Sequence, residues 1–235
     1  MIKDALEYLL GLKEATIHKE NDQVYSDQPL HLLKEPTPDM LTVNSLSSVV
    51  NYIQSHFDTK DKLMIHIESP TDVYVFSQVN ANLNREQWLH AQALLPRFRF
   101  DHFYDTEEIN IKLQSCFVRN DHRDIMLKIV GNIKEEAVRS MGDDGVSQAV
   151  TAKTGVATVG NVKVPNPVSL APYRTFVEIK QPVSDFVFRM QNGPSCALFE
   201  ADGGAWKLEA MNLIRHYFEE QLKTEIETGD VHIIA

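Results

Sequence analysis

Two short stretches place arginine beside aromatic residues: Arg97-Phe98-Arg99-Phe100 and Tyr173-Arg174-Thr175-Phe176. In an extended chain Arg97 and Arg99 share one face while Phe98 and Phe100 share the other. Two guanidinium groups could then receive a phosphate or carboxylate through paired N–H donors. Thr151, Lys153 and Thr154 could add hydroxyl and ammonium donors, which makes Arg97, Arg99, Tyr173, Arg174, Thr151, Lys153 and Thr154 the candidate ligand-binding set. The plain alternative sends the aromatics into a core and leaves the arginines to solvent or to neighbouring acids.

Catalytic constellations are missing. Ala152-Lys153-Thr154-Gly155 has its glycine after the threonine and none before the lysine, so it cannot build a phosphate-cradling loop. His66-Ile67-Glu68 has the His-x-Glu of zinc deaminases, but the Pro-Cys-x-x-Cys that must complete that site is absent; Pro194-Ser195-Cys196 only looks like its beginning. The acid and histidine groups at 101–108 and 121–124 also read as helix starts. There is no Gly-x-Ser-x-Gly elbow, and neither Cys116 nor Cys196 has a histidine at a recognisable spacing. The sequence therefore offers no catalytic residue, no metal site and no cofactor, and it points to a protein that is not an enzyme.

Composition narrows the class further. The chain has 235 residues, 43% of them hydrophobic, which supports one large domain with a buried core. Its 33 acids outnumber 23 Lys plus Arg, for a net charge of -10, which works against non-specific adhesion to nucleic acid. No run of eighteen apolar residues suggests a membrane span, and the N-terminal stretch carries acids within its apolar pattern, unlike a signal peptide. A cytoplasmic protein is expected. The two cysteines sit among apolar neighbours and read as small buried hydrophobes.

These residues must be positioned by mixed elements. A strand–turn–strand signal runs through Asp185–Met190, Asn192-Gly193-Pro194 and Ser195–Ala201. After Gly203-Gly204, Trp206, Ala210, Leu213, Ile214, Tyr217 and Phe218 recur at helical spacing. Asn44 is placed to cap a helix with Leu46, Val49, Val50, Ile53 and Phe57 on one stripe. Further helices are expected within 106–130, one opened by Thr106 and a second starting near Asp121 and ended by Gly131, and over 206–222, with a shorter one over 2–12. Leu63–Glu68 and Asp72–Val79 form a second hairpin, Gln87–Leu95 a third strand, Thr16–Tyr25 a small hairpin, Leu30–Leu33 an edge strand and Val231–Ile234 a last strand. Val146–Val164 is rich in small residues, with Gly160-Asn161 as a possible turn. The spacing predicts an α+β fold with a predominantly antiparallel sheet and flanking helices. Residues 142–167 would form a projecting β-hairpin arm or a strand donated to another subunit of a homo-oligomer.

The stretch from Asp144-Gly145-Val146-Ser147-Gln148 through Lys153-Thr154-Gly155-Val156-Ala157, together with Gly203-Gly204-Ala205-Trp206, resembles proteins encoded by phages and prophages of Gram-positive bacteria. The similarity spans nearly the whole length. The order of elements is similar to that of the YfdQ-like prophage family, which has no assigned activity, with a departure in the amphipathic helix after Trp206. The resemblance implies a phage origin and an accessory role, and it transfers no catalytic residue. Expected partners are further copies of the chain and either a small anionic nucleotide signal or a host protein to be masked. A factor of phage recombination that contacts single-stranded DNA is the alternative, and a metal-dependent hydrolase using the acidic groups comes last.

Overall fold

The computed structural model describes residues 2–3, 17–20, 23–26, 37–80, 83–132, 142–143, 148–154, 158–163, 166–191 and 195–235. The chain divides into two compact units, Met1–Pro38 and Asp39–Ala235. The expected edge strand at 30–33, and nearly all of the expected helix over 2–12, lie outside the described residues.

In the first unit, β1 (Ile17–Glu20) and β2 (Gln23–Ser26) form an antiparallel hairpin in which Ile17 faces Ser26 and Glu20 faces Gln23. Ile17, Val24 and Tyr25 are exposed.

The second unit opens with β3 (Leu41–Val43) and α1 (Leu46–Ser55). The helix is capped by Ser45 rather than Asn44. Ser45 is extended and its Oγ accepts from the Ser48 N–H at 3.1 Å, whereas the Asn44 amide donates to the Gln92 carbonyl. Glu178 adds a carboxylate that accepts from the Leu46 N–H at 2.8 Å, where the helix dipole favours negative charge. Leu46, Val49, Val50 and Ile53 are buried as their spacing requires. Phe57 is not, because the left-handed turn at His56 (φ 48°) ends the stripe and leaves Phe57 86% exposed.

Next come β4 (Leu63–Ile67), β5 (Asp72–Ser77) and β6 (Gln87–Gln92), then β7 (Tyr104–Asp105), α2 (Thr106–Cys116) and α3 (Asp121–Asn132). α2 starts one residue past its cap, since Asp105 Oδ1, not Thr106, accepts from the Glu108 N–H. The span 106–130 holds the two expected helices: Phe117 leaves the helical path to bridge Pro172, and Asn120 accepts from the Arg123 N–H to start the second. β8 (Gly142–Asp143), β9 (Gln148–Thr154) and β10 (Thr158–Lys163) follow, then β11 (Val168–Leu170), β12 (Ser184–Gln191), β13 (Ser195–Glu200), α4 (Ala205–Gln221), α5 (Lys223–Glu227) and β14 (Val231–Ile234).

Five strands make one sheet in the order β14-β4-β5-β6-β3, antiparallel at its centre and parallel at both edges. Leu63, Ile65, Ile67, Val73, Val75, Leu89 and Ala91 point to one face and pack with residues of α1 and α4, including Ile214 and Phe218. A second, antiparallel sheet in the order β11-β12-β13-β7 packs with α2 and α3 around Phe117, Met126, Phe186 and Phe188. Burying each such side chain contributes about 1.5–3 kcal/mol. The fold is thus α+β with mostly antiparallel pairing. Cys116 and Cys196 are buried and free, and burial pushes the Cys196 thiol up to about 12. Among the described residues no helix is long and apolar enough to cross a membrane.

In the small-residue segment β9 pairs with both β10 and β8, and among the described residues these three strands form their own sheet. Gly160 and Asn161 do not turn the chain. They lie within β10 opposite Ala152 and Thr151, and the connection falls at 155–157, outside the described residues.

Candidate functional site

The expected arginines separate. Arg97 and Arg99 are exposed, and between them Phe98 stacks edge-on against Phe117 at 4.9 Å; Phe100 lies flat against Phe186 at 5.2 Å. The alternation expected from the sequence holds, and neither arginine forms an ion pair among the described residues. With both rings facing the core, this segment presents charge without an aromatic surface.

Arg174 is inside the protein. One guanidinium nitrogen donates to Glu200 Oε1 at 2.7 Å and another to Ser184 Oγ; Asp202 Oδ2 lies 3.9 Å away, and the guanidinium carbon sits 3.8 Å above the Trp206 ring. Burial draws the Arg174 pKa down to about 10 while Glu200 and Asp202 pull it up, so the cation persists at neutral pH. Asp202 is raised by burial but lowered more by hydrogen bonds from Ser184 and the Gly204 N–H and by the charge of Arg174, and its pKa lies below the ordinary carboxylate value. Gly203 and Gly204 take positive φ (63° and 81°), which lets the chain turn from β13 into α4 and carry Trp206 back over Arg174. Arg174 thus fastens the segment after β11 to the start of α4 through its two terminal nitrogens, while its buried Nε has no hydrogen-bond partner among the described residues. Tyr173 is half-buried and donates its N–H to the Cys116 carbonyl. The Arg97 and Arg174 segments meet through Phe186, which Phe100 stacks on and Arg174 approaches to 5.7 Å. Thr151, Lys153 and Thr154 lie on β9, where their backbones pair with Asn161, Val159 and Thr158.

A different set of basic side chains converges at one end of the five-stranded sheet. Lys62 precedes β4, Arg85 precedes β6 and His232 lies on β14; with Met64, Ser77, Gln78, Val79 and Gly229 they line an open groove of about 660 Å³. All three basic side chains are exposed, and none has an ion-pair partner among the described residues. Gly229 (φ 76°) opens the turn into β14, and the Asp230 carbonyl accepts from the Leu63 N–H to start the parallel pairing that sets His232 beside Met64. The Asp230 carboxylate accepts from the Thr228 hydroxyl at 2.6 Å.

The sheet face opposite its core continues from this groove. Met64 lines the groove and pairs with Phe76; one step further His66 pairs with Tyr74, and Tyr74 with His90. Tyr74 lies flat on the His90 imidazole at 4.3 Å, and the His90 Nε2 meets Asp72 Oδ1 at 2.9 Å. Asp72 is raised by burial, yet hydrogen bonds from Thr71, His90 and Ser69 outweigh this and hold its carboxyl below the ordinary value.

The acid and histidine groups resolve into structural roles. His122 Nδ1 accepts from the Ser169 N–H, Asp124 pairs with Arg119, Asp105 caps α2, and His102 stacks edge-on against Tyr104. Among the described residues no three His, Cys, Asp or Glu side chains gather where a metal could sit.

No family model matches the chain, and no curated protein and no solved structure matches it either.

Proposed function

We propose that this chain is a non-enzymatic binding protein that takes a small anionic ligand in the groove lined by Lys62, Arg85 and His232. What carries this reading is the gathering of three basic side chains, without ion-pair partners among the described residues, in one groove of an acidic chain. In a protein of net charge -10, stray cations tend to find carboxylates. A set left open in a concave site instead focuses potential on an incoming anion. Lys62 and Arg85 supply charge-assisted donors, Arg85 in a fork suited to phosphate, while Met64 and Val79 give the groove an apolar floor.

The nucleotide signals expected from the sequence fit this chemistry. In the phage setting suggested by the resemblance, the protein would act by withholding such a signal from its host. Arg97 and Arg99 form a separate exposed pair suited to auxiliary contacts.

A thermal-shift screen of linear and cyclic nucleotides and of pyrophosphate tests the reading. The wild-type melting temperature should rise with at least one of them, following the linkage between binding and stability. The K62A/R85A double variant should lose that rise. No shift with any of these ligands would refute the proposal.

A further inference from the structure

The groove does not end in bare polypeptide. Its inner wall continues into a run of rings on the sheet face that α1 and α4 leave uncovered. Phe76 directly precedes the groove residue Ser77 and sits 6.2 Å from His66 and 6.1 Å from Tyr74; Tyr74 in turn stacks on His90. These side chains belong to neither hydrophobic core. They are half-buried, and their rings lean on each other. The far end of the run is locked, since Asp72 holds the His90 imidazole and is itself held by Ser69 and Thr71. Such a set is rigid, and a rigid aromatic surface loses little entropy when a flat ligand settles on it.

We infer that the Phe76–His66–Tyr74 surface is the seat of a nucleobase, so that the groove's ligand is a free nucleoside phosphate and not a base-free anion. The inference rests on the anion-binding reading above and adds the second half of the recognition. Two observations support it together. Lys62 and Arg85 stand at the groove end of the face, so an extended ligand with one charged end has a favourable direction. The spacing also suits it: successive same-face residues on a strand lie about 7 Å apart, so Met64 at the groove carries the sugar and the Phe76, His66 and Tyr74 rings the base, with the phosphates beyond them at Lys62 and Arg85. Base stacking on aromatic side chains tolerates any base, so a preference among bases is not part of the inference.

The test compares pyrophosphate, adenosine and guanosine monophosphate, and a deoxythymidine oligomer by calorimetric titration of the full chain. The free mononucleotides should bind at least about tenfold more tightly than pyrophosphate. Phe76→Ala should bring them down to the pyrophosphate level while pyrophosphate binding stays unchanged. Because Phe76→Ala could disturb the sheet, Tyr74→Phe and Phe76→Trp serve as conservative partners and should keep the advantage. Ring-proton shifts of Phe76 and Tyr74 on adding mononucleotide, absent with pyrophosphate, give an independent readout. Equal affinities, with both lost in K62A/R85A, would overturn the base seat and leave the anion groove standing. Binding of the oligomer alone would overturn the assignment to a free nucleotide. No binding of any probe would overturn both.

Discussion

Arg174 shows how a single side chain can look like a ligand receptor and serve the fold. Its guanidinium meets Glu200, Ser184 and the Trp206 face at once, and its main-chain N–H donates to Gln181 Oε1. Removing it leaves Glu200 and Asp202 without their cation and Trp206 without a cover. Arg174→Ala should therefore cost about 2 kcal/mol in urea unfolding, less than breaking a fully buried pair because Glu200 stays partly open to solvent. Arg174→Lys should lose part of that, because an ammonium cannot fill the forked geometry. A loss below about 0.5 kcal/mol for the alanine variant would place the residue among ordinary surface positions. The residues that do stand open, Lys62, Arg85 and His232, are far apart in the sequence and share no motif. Nothing local marks them; they become neighbours only when β14 pairs with β4 and the β5–β6 hairpin closes.

At the scale of elements, local patterning accounts for most of what was legible. The hairpins β4–β5 and β12–β13, the strand β6, the stripe of α1 and the run from Trp206 to Phe218 all follow from alternation or helical spacing between close neighbours. What could not be read is non-local. The parallel pairs β3 with β6 and β14 with β4 join residues that no window spans, and they decide which ends of the sheet meet. Helix starts also shifted by one residue wherever two capping residues stood together. Asn44 was engaged by the Gln92 carbonyl, so Ser45 took the cap. Accordingly Ser45→Ala should destabilise the protein by about 1 kcal/mol, and Asn44→Ala should cost less, both measured by chemical unfolding. The reverse order would restore Asn44 as the cap.

For the whole molecule, the open question posed by the sequence is assembly. The segment from Val146 to Val164 is poor in large side chains, and its described strands pair as a sheet of their own. We propose that this segment finds its apolar neighbours on a second copy of the chain. Light scattering should then give a mass above the 26.7 kDa of one chain, and replacing residues 146–164 with a short Gly-Ser linker should return it to that value. A wild-type mass of one chain at every concentration would refute assembly without touching the groove.

The groove itself is reached most directly by calorimetric titration of pyrophosphate into the wild-type chain and the K62A/R85A variant at low and moderate salt. Anion capture predicts saturable binding to the wild type that weakens as salt rises and disappears in the variant. Titrations without heat, or with equal affinity for the two proteins, would contradict it.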